Sequence, residues 1–238
     1  MNCNGDGNFT RVAEPLAENL NELEQKVLSD RADIGFATDP DGDRLSIVSN
    51  KGKAIGEEYT LVLAVKNFIN SQESMVVTNL STSMMLDNIA GKTIRTKIGE
   101  AHVVKKMNEL NVSIGGEGNG GVILKEVHLG RDSLVAISMI LSLLSSSGKS
   151  ISDEISNIPQ YLMIKDKILI DDKIDFDSLE TIFDCNEINK LDGIKFSWPN
   201  KWIHIRKSNT EPIIRIFAEA KNQDEVNELI NTLKNYLK

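Results

Sequence analysis

The sequence predicts an α/β protein in three parts: a partial α/β unit, a complete α/β layer domain, and a small α+β C-terminal domain built from a four-stranded sheet with helices. Three observations carry this reading. Residues of about 15 to 50 read as helix, strand, loop and strand; strands then alternate with helices from about 50 to 150; and after "NIPQYL" the apolar pattern switches to period two in four segments before one last helix. The boundaries that follow are 1–50, 51–157 and 158–238.

In the first part, Leu16, Leu20, Leu23 and Val27 recur at helical spacing and predict a helix over about 15–30. "DIGFA" and "RLSIV" are short strands on either side of an aspartate-rich loop, and the turn "SNKG" follows. In the second part, "EEYTLVLAVKNFIN" is a helix, "SMVVTNL" a strand, and "STSMMLDNIA" a helix whose hydroxyl residues suit its N-terminus. "KIGEAHVVKKMNEL" is a further helix, "VSIGG" a strand, and "RDSLVAISMILSLLSSSG" a long buried helix ending at Gly148. In the third part, "MIKDKILI", "GIKFSW", "WIHIR" and "PIIRIFAEA" alternate apolar and polar residues, and "NQDEVNELINTLKNYLK" is an amphipathic helix.

Composition narrows the function. With 238 residues, 40% of them hydrophobic, the chain can bury a real core. A net charge of −8 and a pI near 5.0 oppose a general nucleic-acid or anionic-membrane surface, so any anionic ligand needs a local cluster of cations. Cys3 and Cys185 are too few and too far apart for a disulfide framework, which makes a reducing cytoplasm the default. The N-terminus is polar, without an apolar signal region, and "LVLAV" and "LVAISMILSLL" fall short of the roughly 20 residues that span a bilayer.

Three loops carry candidate chemistry. In "ATDPDGDRLSIV", Asp39, Asp41 and Asp43 crowd together ahead of Arg44. Converging carboxylates repel unless a cation sits among them, and hard oxygen ligands suit Mg²⁺. A calcium-binding helix–loop–helix is excluded, because Asn50 stands where its bidentate glutamate would belong. A phosphatase of the haloacid-dehalogenase type also uses strand-end aspartates, but its later lysine and acidic motif cannot be placed. In "GGEGNGGVI", Glu117 and Asn119 set a carboxylate and an amide among glycines, a pairing that suits sugar hydroxyls; neither a dinucleotide fingerprint nor a P-loop matches. In "RKSNTEPIIR", Arg206, Ser208, Asn209, Thr210 and Arg215 form a dense set of donors suited to phosphate.

Taken in order, "DPDGDR", "GEGNGG" and "RKSNTEPIIRIFAEA" resemble the metal-binding, sugar-recognition and phosphate-binding loops of the α-D-phosphohexomutase superfamily. "GDGNFTRVAEPLAENL" and "RDSLVA" resemble the segments flanking them, so the likeness covers essentially the whole chain. The resemblance implies a phosphoserine that passes its phosphoryl group to a hexose phosphate, and a bisphosphate intermediate that reorients and returns the other phosphate. It implies Mg²⁺ on Asp39, Asp41 and Asp43, and Arg44 contacting the serine phosphate. Sugar would contact Glu117, Asn119 and Lys97, and Arg206, Ser208, Asn209, Thr210 and Arg215 would clamp the phosphate that is not reacting. A hexose bisphosphate would act as activator. Glucosamine phosphate is the favoured substrate, since "GGEGNGGVI" is similar to the sugar loops of archaeal-type members; mannose and glucose phosphates are the alternatives.

One family motif does not occur. The serine loop, of the form T-[AS]-S-H-N-P, has no counterpart here: the histidines are His102, His128 and His204, and none follows a serine. The chain therefore reads as the C-terminal portion of a phosphohexomutase, inactive alone, with an N-terminal half carrying the serine as its partner. The opening unit is expected to leave a strand edge exposed. A sugar-phosphate-binding protein without catalysis and an unrelated metal-dependent phosphatase are the competing readings.

Overall fold

In the computed structural model, all residues except 3, 4, 9, 70–74, 170–176, 209, 210 and 238 are described. The first unit runs from a 3₁₀ turn, Ala17–Asn19, into α1 (Asn21–Asp30), β1 (Ile34–Thr38) and β2 (Leu45–Ser49). The predicted single helix over 15–30 is thus split, and α1 ends at Arg31 in the left-handed region. β1 and β2 form an antiparallel two-stranded sheet whose last pair is Thr38↔Leu45, so residues 39–44 loop out from its end. Among the described residues β1 pairs with β2 alone.

The second unit contains α2 (Glu58–Ile69), β3 (Met75–Asn79), β4 (Lys92–Thr96), α3 (Glu100–Leu110), β5 (Ile114–Glu117), β6 (Gly121–Leu124), α4 (Ser133–Ser147) and α5 (Ile151–Ser156). Its sheet has the order β4-β3-β5-β6, parallel but for the final β5–β6 hairpin. α3 covers one face; α2 and α4 cover the other. Leu61 through Val65 are all fully buried, because α2 meets α4 on one side and β2, β5 and β6 on others, which explains a helix apolar all round. The Asp132 carboxylate accepts from the Leu134 and Val135 amides to start α4, and Gly148 ends it with φ 66°, as its sequence predicts.

The predicted helix over "STSMMLDNIA" is corrected. Residues after β3 form turns and a short 3₁₀ segment, Leu86–Asn88. The first amides are taken by side chains instead of by helical carbonyls: Ser81 N donates to Asn79 Oδ1, Ser83 N to Glu58, and Met84 N to Glu219.

The third unit holds β7 (Leu162–Leu169), a 3₁₀ turn Asp177–Thr181, β8 (Glu187–Asn189), β9 (Ile194–Trp198), β10 (Lys201–Lys207), β11 (Ile213–Ala220) and α6 (Gln223–Tyr236). The four predicted strands form the antiparallel order β7-β11-β10-β9, and the short strand β8 adds a fifth at the edge. On α6, Val226, Leu229, Ile230 and Leu233 are buried at i, i+3, i+4 and i+7 against this sheet, each contributing roughly 1.5–3 kcal/mol.

The opposite face of this sheet meets the loop after β3 through buried polar groups. Glu219, 1% exposed, accepts from Ser83 Oγ, from Met84 N at 2.8 Å and from Trp202 Nε1 at 2.7 Å. Lys195 Nζ donates to Leu80 O at 2.6 Å and stands 4.0 Å from the Trp202 ring centre. His204 is fully buried: Nε2 lies 2.6 Å from Asp192 O, and Nδ1 2.7 Å from Ser81 Oγ. A carbonyl can only accept, so Nε2 carries the proton and Nδ1 accepts from the serine. These contacts fix the third unit against the second.

Candidate active site

The aspartate loop is shaped by its own first residue. Asp39, 8% exposed, accepts the amides of Asp43 at 3.1 Å and Arg44 at 3.0 Å on Oδ1. Asp41 is exposed and Asp43 half-buried, and one carboxylate oxygen from each of the three lies within 4.8 Å of the others. Asp43 Oδ1 is buried without a hydrogen-bond partner, 3.6 Å from Arg44 Nε, while Oδ2 of the same carboxylate pairs with Arg131. An orphaned carboxylate oxygen facing two more carboxylates fits a hard, oxygen-liking divalent cation. Arg44 also reaches Glu14 Oε1 at 3.2 Å.

The second loop joins β5 to β6, with Glu117 opposite Gly121. Glu117, 3% exposed, is held by Asn79 Nδ2 at 2.8 Å and Gly99 N at 2.9 Å on Oε1, and by Arg131 Nη1 at 2.8 Å on Oε2. Asn119 Oδ1 accepts from Gly121 N at 3.2 Å, leaving its NH₂ without a partner among the described residues. The two loops touch: Leu45 N donates to Gly120 O at 3.0 Å. Gly120 has φ +89°, and a Cβ there would strike Leu45 O, so a glycine is required where the loops meet.

The third group is a row across the C-terminal sheet. Arg206 on β10 lies directly opposite Arg215 on β11, which lies opposite Lys167 on β7. Like charges in register are unfavourable, so such a row is suited to an anion. Arg206 Nε is buried without a hydrogen-bond partner, 3.7 Å from Asp192 Oδ2, and Arg215 pairs with Glu211 at 2.8 Å. Ser208 N donates to Ile213 O, and its Oγ accepts from Glu211 N. Asn209 and Thr210 lie outside the described residues.

One cleft of about 720 Å³ is lined by Arg44 of the first loop, by Glu117 and Asn119, and by Lys167, Arg206 and Arg215; Asp39, Asp41, Asp43 and Ser208 do not line it. Lys97 is exposed, and its neighbours Ile98 and Gly99 line the cleft while it does not. Four participants escaped the sequence reading: Arg131, Lys167, Lys165 and Glu58. Lys165 reaches from β7 to Glu57 at 2.7 Å and Glu58 at 3.4 Å. For Lys165 and Lys167 the period-two pattern of "MIKDKILI" was a usable signal, since it puts both on one face.

Comparison with known proteins adds an ordered match. Residues 1–52 match the family model described as phosphoglucomutase/phosphomannomutase alpha/beta/alpha domain II, 56–161 match domain III, and 168–235 match the C-terminal domain. The chain belongs to the α-D-phosphohexomutase superfamily. Among phosphohexomutase relatives, the phosphoglucomutase/phosphomannomutase of Thermococcus kodakarensis is 35% identical over 97% of this chain and 53% of its own length. A probable phosphoglucosamine mutase of Methanopyrus kandleri is 30% identical over 96% and 53%. Of solved structures, a family protein from Burkholderia thailandensis superposes with TM-score 0.80 at 22% identity, over 95% of this chain and 51% of that one. The Aspergillus fumigatus N-acetylphosphoglucosamine mutase, solved with GlcNAc-6P and magnesium, gives 0.62 at 13% identity, over 85% and 52%. The chain spans about half the length of the curated phosphohexomutases it matches. Among the described residues no helix is long and apolar enough to cross a membrane.

Two buried groups, Glu58 lining the cleft and His204 between the second and third units, give opposite pH dependence. Burial lowers His204 from 6.5 to about 4, and burial raises Glu58 from 4.5 to about 7. As pH falls from 6.5 to 4 the unfolded chain protonates His204 and the folded chain does not, so stability falls. As pH falls from 7 to 4.5 the folded chain holds a proton on Glu58 that the unfolded chain lacks, so stability rises. The two slopes offset each other in the unmodified chain. Glu58→Gln removes one of them, and its urea midpoint is expected to drop as pH is lowered from 6.5 to 4.5. A midpoint independent of pH in that variant would contradict the assignment.

Proposed function

We propose that this chain is the C-terminal portion of a phosphohexomutase that interconverts hexose 6-phosphate and hexose 1-phosphate, with glucosamine phosphate the favoured substrate. The observation that carries the proposal is the single cleft, onto which the arginine of the aspartate loop, the sugar-loop pair and the cationic row all open. The division into residues 1–50, 51–157 and 158–238 is part of the same reading and is supported by the three consecutive family matches. Several relatives named phosphoglucosamine mutase favour the amino sugar, while the Thermococcus kodakarensis relative bears the name of the neutral-sugar enzymes.

Asp39, Asp41 and Asp43 hold Mg²⁺ in this proposal. The ion would supply positive charge against the phosphoryl group being transferred. Arg44, beside the aspartates, faces the serine phosphate contributed by a preceding N-terminal half. Glu117 accepts from sugar hydroxyls and Asn119 donates to them, with Lys97 at the rim. Arg206, Ser208, Asn209, Thr210 and Arg215 hold the distal phosphate, and the register adds Lys167 to that set. Because the distal clamp grips a phosphate and the sugar loop grips hydroxyls, the bisphosphate can be held in either orientation. A cytoplasmic setting, with a hexose bisphosphate as activator, completes the reading.

The test is titration of the chain with glucosamine 6-phosphate by calorimetry. Arg206→Gln is expected to weaken binding ten- to a hundredfold, as loss of charge-assisted bonds worth about 1.5–3 kcal/mol requires. Unaltered binding in Arg206→Gln would overturn the assignment of the clamp. Mixing the chain with the serine-bearing half of a full-length relative should restore mutase activity, and Asp41→Asn should remove it. Activity indifferent to that substitution would favour a binding role for this chain.

A further inference from the structure

Arg131 is a residue that the three-loop reading leaves without a role, yet its guanidinium joins two of those loops. It pairs with Asp43 Oδ2 of the aspartate loop through Nη2, with Glu117 Oε2 of the sugar loop at 2.8 Å through Nη1, and with Glu100 Oε2 at the start of α3 at 3.0 Å through Nε. Its side chain is 14% exposed. The backbone on either side is fixed, since Asp132 N donates to Val122 O at 3.0 Å and the Asp132 side chain caps α4. Gly121 clears the space: a Cβ there would run into Arg131 Cδ.

We infer that Arg131 is a positioning residue that couples cation binding on the aspartate loop to the state of Glu117 on the sugar loop. The inference rests on the metal-loop reading above. One guanidinium is shared between two carboxylates with different tasks. A cation on the open Asp43 Oδ1 draws charge from the carboxylate that Arg131 holds through Oδ2, which weakens that pairing and leaves more of the guanidinium charge to Glu117. Anything that weakens the Glu117 side lets Arg131 hold Asp43 more tightly and opposes the cation. The coupling is reciprocal, so cation occupancy and the sugar-facing pose of Glu117 depend on each other. Arginine suits this place because a planar fork with five donors can span several carboxylates, and an ammonium cannot.

The test is a double-mutant cycle on the full chain, read as Mn²⁺ affinity by calorimetry or electron paramagnetic resonance, with thermal melts to confirm folding. Glu117→Gln is expected to weaken Mn²⁺ binding about fivefold or more in the otherwise unmodified chain. In an Arg131→Gln background the same change should shift affinity less than twofold. Arg131→Lys keeps the charge and should behave as Arg131→Gln does, which covers the case in which the glutamine variant folds poorly. Equal effects of Glu117→Gln in all backgrounds would show a plain through-space field and overturn the coupling. Intact Mn²⁺ binding with no coupling sinks this inference alone, whereas no Mn²⁺ binding by the unmodified chain sinks the metal-loop reading with it.

Discussion

Asp41→Asn is expected to lower divalent-cation affinity by about a hundredfold or more while leaving the melting temperature within about a degree. The loss should exceed the 10- to 100-fold that follows from removing an outer partner of a metal site, because in the proposed site a ligand itself goes. Asp41 is the clean position. It is exposed and makes no hydrogen bond among the described residues, whereas Asp39 is buried and closes the turn through the Asp43 and Arg44 amides. Asp39→Ala should therefore cost both cation binding and stability. The difference between the two variants separates ligand from scaffold. Mn²⁺ titration by calorimetry reads one quantity and thermal melting the other. Unchanged affinity in Asp41→Asn would remove the aspartate loop from the site.

Glu219→Ala should be the most damaging single change between the second and third units, costing about 3–5 kcal/mol. Glu219 is 1% exposed and satisfies three donors, the buried Ser83 Oγ and Trp202 Nε1 and the half-buried Met84 N. Alanine would leave all three without a partner and would also remove an acidic group near Lys195, whose ammonium burial already pushes well below the ordinary lysine value. Against a typical total of 5–15 kcal/mol this is a large share. Glu219→Gln keeps an acceptor and should cost less. Urea unfolding measures both, and a loss below about 1 kcal/mol for the alanine variant would mean that the interface is held elsewhere.

The sheet order and the loops differ in how far they could be read from the residues. Period-two and period-3.6 patterns mark β7, β9, β10, β11 and α6, since each has one face in a core and one outside it. β4, with the sequence "KTIRT", was missed because three of its five residues are half-buried and its pattern is weak; β8 is only three residues long. The loop after β3 looked like a helix start because serine and threonine favour that position, but here their groups answer to Asn79 at the end of β3 and to Glu58 and Glu219 from distant segments. The loops that carry Asp39, Asp43, Glu117 and Asn119 were legible from their place between short strands, and the fold sets them at the β1–β2 and β5–β6 turns. Arg131, and the register that sets Lys167 beside Arg215 and Arg206, were not, because strand register and a fork reaching three separate elements exist only in three dimensions.

The most direct test of the account is a single-turnover transfer. The serine-bearing N-terminal half of a full-length relative would be prepared with ³²P on its active serine, then mixed with this chain, Mg²⁺ and glucosamine 6-phosphate. The account predicts that label moves to the sugar only when this chain is present, and that Asp41→Asn in this chain stops the transfer. Label that stays on the serine, with both pieces folded and bound to one another, would contradict it.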